Sequence, residues 1–193
     1  MIERMVKFLF EAGILKETPR TGYRFLGSGS ESVADHCFRT AIIGYCLSFD
    51  EDLNRHKVIL MCLFHDIAEA RTGDHNYVYQ KYVDINEKKA LEDQLKSLPF
   101  KDEIMELINE FNDAITMEAK IARDADQLDM ILELKKQMEI GNNNAKDWIY
   151  YAIKRLFTDK AKLIADQIVN SHSSDWWFTK DSNWWIRGKY SLS

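Results

Sequence analysis

The sequence predicts an all-α protein, and three observations support this class. Apolar residues recur at helical spacing along most of the chain, as at Ile121, Leu128 and Leu132. Glycine and proline, the residues that most disfavour helices, number only 8 and 2. Hydrophobic residues make up 46% of the composition and charged residues 30%, as in globular chains with a full core. We therefore expect a single helical-bundle domain over residues 1–193, with its core at about 1–170.

Three helices are predicted in the first part of the chain. Apolar residues share one face of residues 2–12, and Gly13 follows as a stop signal. Residues 14–31 contain Pro19 and three glycines and are predicted to form a loop, which at this length is often a binding loop. Residues 32–35 have the form of a capping box, which begins a second helix through Leu47. After a polar turn at 50–55, the third helix is predicted from about Asn54 to Thr72. The apolar face of the first helix contains Ile2, Met5, Val6, Leu9 and Phe10.

The sequence of the second part of the chain predicts four more helices and a C-terminal arm. The helices are expected at residues 84–97, 102–111, 116–140 and about 145–170, and Gly141 ends the third of them. Residues 171–193 hold four tryptophans and form a C-terminal arm. We favour an arm docked on the body; the alternative is a dimer contact, because aromatic residues are enriched at interfaces. The four tryptophans are Trp176, Trp177, Trp184 and Trp185.

The most informative stretch, residues 65–74, follows a continuous apolar run. On a helix, His65, Asp66 and Glu69 would project toward one side, because residues three and four apart are neighbours. Burying these polar groups is costly unless something pairs with them, and a divalent cation is the simplest partner. Gly73 is expected to end the helix and to leave Asp74 at the rim of the site.

Other candidate residues are ambiguous when each is taken alone. Arg20, in the long loop, could hold a phosphate, although most such arginines are solvated surface residues. His36 lies near the start of its helix, where a lone histidine is usually a packed core residue. Asp124, Asp126 and Asp129 cannot all face the core, and each alone would most often be a surface residue. Asp126 and Asp129 share one side of the helix, and helical period does not decide between them.

Composition also restricts partners and compartment. A net charge of −5 argues against binding to nucleic-acid polymers, which requires a basic surface. No uncharged apolar run approaches the roughly 20 residues needed to span a bilayer, so no membrane association is expected. Cys37, Cys46 and Cys62 all fall within apolar helical patterns, which predicts reduced core residues in a cytoplasmic protein.

Four ordered motifs, within about residues 1–140, resemble those of a known family. A histidine, a His-Asp pair and a later aspartate occur in the order found in the HD-domain metal-dependent phosphohydrolases, an all-helical superfamily. The closer resemblance is to the 5′-deoxynucleotidase branch of that superfamily. The motifs are Pro19-Arg20-Thr21-Gly22, Glu31-Ser32-Val33-Ala34-Asp35-His36, His65-Asp66-xx-Glu69-xx-Thr72-Gly73-Asp74 and Ala125-Asp126-Gln127-Leu128-Asp129-Met130.

The resemblance implies a role for each matching residue. Glu69 would activate water, Arg20 would contact the substrate phosphate and Asp74 would contact the sugar. One divalent transition-metal ion, Mn, Co, Fe, Ni or Zn, suits a ligand set of two imidazoles and two carboxylates. The branch usually carries a tryptophan beside the loop arginine, whereas here the nearest aromatic residue is Tyr23. The implied metal ligands are His36, His65, Asp66 and Asp126.

The sequence therefore predicts a metal-dependent phosphohydrolase that converts deoxynucleoside or nucleoside 5′-monophosphates to nucleoside and phosphate. Its expected partner is a small nucleotide substrate, and a homodimer is an open alternative to a monomer. A first alternative function is another HD-type reaction, such as hydrolysis of a nucleotide pyrophosphate or of a cyclic nucleotide. A second is a non-catalytic metal-binding scaffold, against which the intact set of five ligand and catalytic residues argues.

Overall fold

A computed structural model describes residues 1–49, 51–180 and 182–189. Within these ranges the chain contains α-helices, two short 3₁₀ helices at Ile14–Lys16 and Tyr79–Lys81, and no β-strand. A single isolated β-bridge joins Pro19 to Ser32. The predicted all-α class is confirmed. The helices are α1 Ile2–Gly13, α2 Tyr23–Leu26, α3 Val33–Leu47, α4 Arg55–Phe64, α5 Glu69–Thr72, α6 Glu87–Leu95, α7 Lys101–Asp113, α8 Met117–Glu139, α9 Asn144–Ile153, α10 Asp159–Asn170 and α11 Trp184–Arg187.

Helix α8 is the centre of the bundle and packs against α3, α4, α7, α9 and α10. Its residues Leu128 and Ile131 are fully buried in the main core cluster. Helices α3 and α4 also approach each other closely at Gly44, where an added Cβ would lie 2.7 Å from the sulfur of Cys62. This close packing places the start of α3, the end of α4 and the middle of α8 beside one another.

The predicted capping box is present and sets the start of α3. The Ser32 hydroxyl accepts a hydrogen bond from the backbone N–H of Asp35, and the Asp35 carboxylate accepts one from the N–H of Ser32. Satisfying these free donors stabilises a helix terminus by about 1 kcal/mol. The cap places His36 in the first turn of α3, where it is fully buried.

The helix predicted from about Asn54 to Thr72 is interrupted. Helix α4 ends at Phe64, and residues 65–68 form a tight turn before α5. In this turn the backbone N–H groups of Ile67 and Glu69 bond three residues back, to the carbonyls of Phe64 and Asp66, both at 3.0 Å. The i→i−3 pattern tightens the backbone relative to an α-helix, so the 3.6-residue period does not carry through this stretch. Gly73 then ends α5 with a φ of +74°, as its position predicts.

The single helix predicted at about 145–170 is two helices, because Asp124 holds a turn between them. The Asp124 carboxylate accepts hydrogen bonds from the N–H groups of Phe157 and Thr158, at 2.7 and 2.9 Å, and from the Thr158 hydroxyl at 2.6 Å. Thr158 in turn caps α10 at Ala161. Asp124 and Asp129 are both fully buried, so the expectation of surface aspartates is wrong for these two.

Two expectations about burial are also corrected. The apolar face predicted for α1 is mostly exposed, with Phe10 at 77%, because α1 packs on the body through Phe8 and its neighbours. Cys37 and Cys62 are buried, but Cys46 is exposed because it lies on the outer side of α3. All three cysteines are free, and no helix among the described residues is long and apolar enough to cross a membrane.

The described part of the tryptophan-rich arm packs chiefly on itself. Trp185 lies 5.7 Å from Trp177 and 5.3 Å from Phe178, measured between ring centroids. Trp176 is 85% exposed. Asp50, in the predicted turn at 50–55, and residues 181 and 190–193 of the predicted arm lie outside the described residues.

Candidate metal centre and active site

Three helical segments bring the predicted metal ligands together. The Nε2 atom of His36 lies 3.3 Å from Nε2 of His65 and 3.2 Å from Oδ1 of Asp126. Asp66 completes the group, since its Oδ2 lies 3.1 Å from Nε2 of His65 and 3.7 Å from Nε2 of His36. Two atoms that each bind the same cation at about 2.0–2.2 Å lie about 3 Å apart when their bonds to the cation form a right angle. The donor atoms therefore have the spacing of ligands around one divalent ion.

The second ring nitrogen of each histidine is held by the protein. Nδ1 of His36 lies 2.6 Å from Oδ2 of Asp129, and Nδ1 of His65 lies 3.0 Å from the carbonyl oxygen of Cys62. A carboxylate or carbonyl at Nδ1 requires the proton on that nitrogen and leaves a lone pair on Nε2. Both imidazoles thus direct a free Nε2 toward the same point.

The same contacts separate the roles of Asp126 and Asp129. Asp126 faces the shared point, whereas Asp129 lies behind His36 and is fully buried. Arg39 compensates the charge of Asp129, because its Nε donates to Oδ1 of Asp129. The guanidinium also pairs with Glu133 and, at 3.3 Å, with Glu31. Arg39 was not singled out from the sequence, although its position three residues after His36 places both on one side of α3.

Charges in the site shift the pKa values of its carboxyl groups in opposite directions. Burial would raise the pKa of Asp66, but the His65 and His36 imidazoles and the Arg20 guanidinium hold it down at about 2. Burial likewise opposes ionisation of Asp126. Without a metal ion, however, Asp126 and Asp129 overcome the effect of burial on His36 and raise its pKa to about 9, so Nε2 also carries a proton; the hydrogen bond from this nitrogen lowers the pKa of Asp126 well below the usual range. A bound metal ion would replace that proton. Glu69 behaves differently: burial and the charges of Asp66 and Asp74 raise its pKa to about 10.

The site fits a bound cation because four carboxyl groups, those of Asp66, Glu69, Asp74 and Asp126, line the cavity beside Arg20. The Oε2 atom of Glu69 is buried and has no hydrogen-bond partner among the described residues. A buried carboxylate oxygen without a partner is costly, and a nearby divalent ion would offset that cost. Two imidazoles with two carboxylates also match the chemistry of an open metal site rather than a closed structural zinc site. The Cys37 sulfur lies within 4.8 Å of ligand atoms of His65 and Asp66, but burial raises the pKa of this thiol and disfavours the thiolate that would bind a metal.

Arg20 and Asp74 reach the site from two different loops. Nη1 of Arg20 lies 3.5 Å from Oδ2 of Asp66, and the Arg20 side chain is mostly buried. Burial would lower the pKa of Arg20, but the charges of Asp66, Asp126 and Asp74 raise it instead. Asp74 was expected at the rim; its Oδ2 accepts hydrogen bonds from the Thr21 N–H at 2.5 Å and the Thr21 hydroxyl at 2.6 Å. Through Thr21, Asp74 therefore holds the loop that carries Arg20 in place beside the site.

One cavity of about 420 Å³ contains these groups. Its lining includes Arg20, Asp66, Glu69, Asp74 and Asp126, so the predicted catalytic and substrate-binding residues share one space. The rest of its wall is largely aromatic, and no local signal in the sequence distinguishes these residues from core residues. The aromatic lining residues are Tyr23, Phe25, Tyr77, Trp148 and Tyr151.

The fold and site define a class: all-helical proteins that hold a divalent metal ion between histidines and aspartates of three packed segments. The chain belongs to the HD domain family, whose pattern matches residues 12–167. It is 33% identical over 142 residues to the 5′-deoxynucleotidase HDDC2 of Xenopus laevis, covering 70% of each chain. It is 33% identical over 181 residues to the 5′-deoxynucleotidase hdd1 of Schizosaccharomyces pombe, covering 89% of this chain and 87% of that one.

Solved structures show the same fold. A conserved hypothetical protein from Pyrococcus furiosus superposes with a TM-score of 0.75 at 29% identity, over 86% of this chain and 99% of that one. A protein from Pyrococcus horikoshii OT3 superposes with a TM-score of 0.72 at 28% identity, over 88% of this chain and 99% of that one. The recognition of the HD-domain family from its motifs is thereby confirmed.

Proposed function

We propose that this protein is a divalent-metal-dependent phosphomonoesterase that hydrolyses deoxynucleoside 5′-monophosphates to nucleoside and phosphate. The observation that carries the proposal is the cluster of His36, His65 and Asp126, whose donor atoms all lie within 4.8 Å of one another, at the cavity that Asp126 lines. Glu69 and Arg20 line the same cavity. The similarity to relatives named 5′-deoxynucleotidase supports the choice of substrate class.

His36, His65, Asp66 and Asp126 would hold the metal ion in this proposal. A set of two imidazoles and two carboxylates suits Mn, Co, Fe, Ni or Zn better than Mg, which prefers oxygen ligands. When bound, such an ion supplies a Lewis acid for a phosphoryl oxygen and lowers the pKa of water. The remaining chemistry falls to the side chains around the ligands.

Glu69 is the proposed general base. Glu69 lines the cavity, and its buried Oε2 has no partner among the described residues, so this carboxyl group is not committed to another contact. A carboxylate beside a bound cation is ionised, because opposite charge favours the charged form. The ionised Glu69 then accepts a proton from the water that attacks phosphorus, a step that typically contributes 10²–10⁴-fold to the rate.

Arg20 and Asp74 are the proposed substrate contacts. The Arg20 guanidinium is positively charged and offers two parallel N–H groups, which match two oxygens of a phosphoryl group. Asp74 lines the cavity beside it and can accept a hydrogen bond from a sugar hydroxyl. The Thr21 contact also makes Asp74 a support for the Arg20 loop.

The test is a screen of metals against substrates. Protein stripped of metal by a chelator is loaded with each of the five ions and assayed for phosphate release from deoxynucleoside and nucleoside 5′-monophosphates. The proposal expects release that depends on the added ion and is faster from monophosphates than from a nucleotide pyrophosphate or a cyclic nucleotide. Preference for either of those would support the alternative HD-type reaction, and no turnover with any ion would support a non-catalytic scaffold.

We extend the proposal to the remaining properties of the chain. Residues 1–193 are proposed to form one domain. The free cysteines, two of them buried, support a reducing compartment such as the cytoplasm. Exposed aromatic residues within 171–189 support a homodimer contact, which sedimentation of the full chain and of a Trp176→Ser variant would test.

A further inference from the structure

The proposed phosphate chemistry does not use one part of the cavity wall, which we call the aromatic end. Tyr77, Trp148 and Tyr151 line it together with Arg155. Tyr77 and Tyr151 are 58% and 60% exposed, so their rings are not buried in the core. Trp148 differs because it is half-buried and packs against the main core cluster, which fixes its position. Large rings left open on a cavity wall are typical of a binding surface.

A chain of hydrogen bonds connects this end to the proposed metal site. The amide nitrogen of Gln127 donates to Oδ2 of Asp126 at 3.0 Å, and Nη1 of Arg155 donates to Oε1 of Gln127 at 3.2 Å. The Arg155 guanidinium then lies over the Tyr77 ring, with its carbon 4.5 Å from the ring centroid. Gln127 thus links Asp126 to the aromatic end through two direct contacts.

We propose that Tyr77, Trp148, Tyr151 and Arg155 form the subsite that binds the base of a nucleoside 5′-monophosphate. This inference rests on the proposed function, and it adds the residues that recognise the base. Flat aromatic rings and a guanidinium bind a base by stacking and by cation–π attraction, which act on the π-face of any base. A phosphate held near Arg20 would leave the base to occupy the aromatic end of the same cavity.

The geometry also predicts how selective the subsite is. The Gln127 side chain already uses its amide nitrogen on Asp126 and its oxygen on Arg155. Arg155 has further N–H groups besides the one it donates to Gln127, and every base has acceptors at its edge. Stacking supplies most of the binding, so the four common deoxynucleotides should differ little in KM.

The experiment compares a substrate that has a base with one that lacks it. Tyr77→Ala, Tyr151→Ala and Arg155→Ala are assayed with a deoxynucleoside 5′-monophosphate and with deoxyribose 5-phosphate. Each variant is expected to raise KM for the nucleotide at least about fivefold, the lower end for loss of one stacking ring, and to leave KM for the sugar phosphate unchanged. Tyr82→Ala is the control, because Tyr82 is an exposed tyrosine five residues after Tyr77 that does not line the cavity.

A binding measurement separates this inference from the proposed function. Calorimetric titration of metal-loaded protein with the deoxynucleoside itself, which has no phosphate to hydrolyse, reports the subsite even if no monophosphate is turned over. Weaker binding to Tyr151→Ala than to Tyr82→Ala would support the subsite. Equal binding to the two variants, or a KM that rises equally for the nucleotide and the sugar phosphate, would overturn it.

Discussion

The contact between His36 and Asp129 predicts that a residue outside the metal shell controls metal affinity. Asp129→Asn keeps the size of the side chain and removes its charge. In the native protein Oδ2 of the fully buried Asp129 accepts a hydrogen bond from His36 Nδ1 at 2.6 Å, and Oδ1 accepts one from the partly buried Arg39. The neutral asparagine amide cannot accept both hydrogen bonds as strongly as the carboxylate does. Its NH₂ group, itself a donor, would face either the N–H of His36 or that of Arg39.

The expected magnitude follows from these contacts. Loss of the partner that orients a metal-binding histidine typically weakens metal affinity 10- to 100-fold, or about 1.4–2.8 kcal/mol. A hydrogen bond to a charged group contributes about 1.5–3 kcal/mol to folding. Arg39 keeps Glu31 and Glu133 as partners, so we expect the metal-free variant to fold with a free energy of unfolding lower by about this amount.

The assay uses a second buried aspartate of the same helix as its control. Metal-free Asp129→Asn and Asp124→Asn are titrated with Mn²⁺ or Zn²⁺ by calorimetry, and both are unfolded with urea in the presence of a chelator. Asp124 accepts three hydrogen bonds from Phe157 and Thr158 and does not contact His36, so its variant should lose stability but keep native metal affinity. Native affinity in Asp129→Asn, or an equal loss in Asp124→Asn, would refute the reasoning.

Three further predictions use the same geometry. Glu69→Ala should bind metal normally and lower kcat by about 10²–10⁴-fold, whereas Asp66→Ala should lose both metal and turnover, which calorimetry and phosphate release distinguish. Arg20→Lys should keep its charge but lose the paired N–H contact, so KM should rise while metal affinity stays native; an unchanged KM would remove Arg20 from phosphate binding. Gly44→Val should lower the free energy of unfolding by at least about 2 kcal/mol in urea titrations, because its Cβ would lie 2.7 Å from the Cys62 sulfur.

Sequence patterns predicted the helices best where local interactions decide them. The capping box at Ser32 lies where the structure begins α3, and Gly141 lies just after the end of α8. They could be predicted because each acts on backbone groups within a few residues along the chain. The interruptions of two predicted helices could not be predicted in this way. The break at 154–158 depends on a hydrogen bond from Phe157 to Asp124, which lies more than thirty residues away along the chain.

Burial was predicted less well than helix position. The period of α1 indicates an apolar face but not which neighbour covers it, and the structure leaves Phe10 exposed while Phe8 is buried. Asp124 and Asp129 show the opposite error, because a buried carboxylate is favourable only when distant groups such as Arg39 supply donors. Residue type alone carries no information about such partners.

The sequence by itself determined the all-α class, the order of the motifs and the residue types able to hold a metal ion. Only the tertiary structure decided that Asp126 faces His36 Nε2 while Asp129 holds Nδ1, since both aspartates lie on one side of α8 and helical period treats them alike. It alone also assembled the aromatic end of the cavity from segments near residues 77 and 148–155. The physical reason is that backbone preferences act between near neighbours, whereas coordination and pocket walls depend on atoms that meet through packing of distant segments.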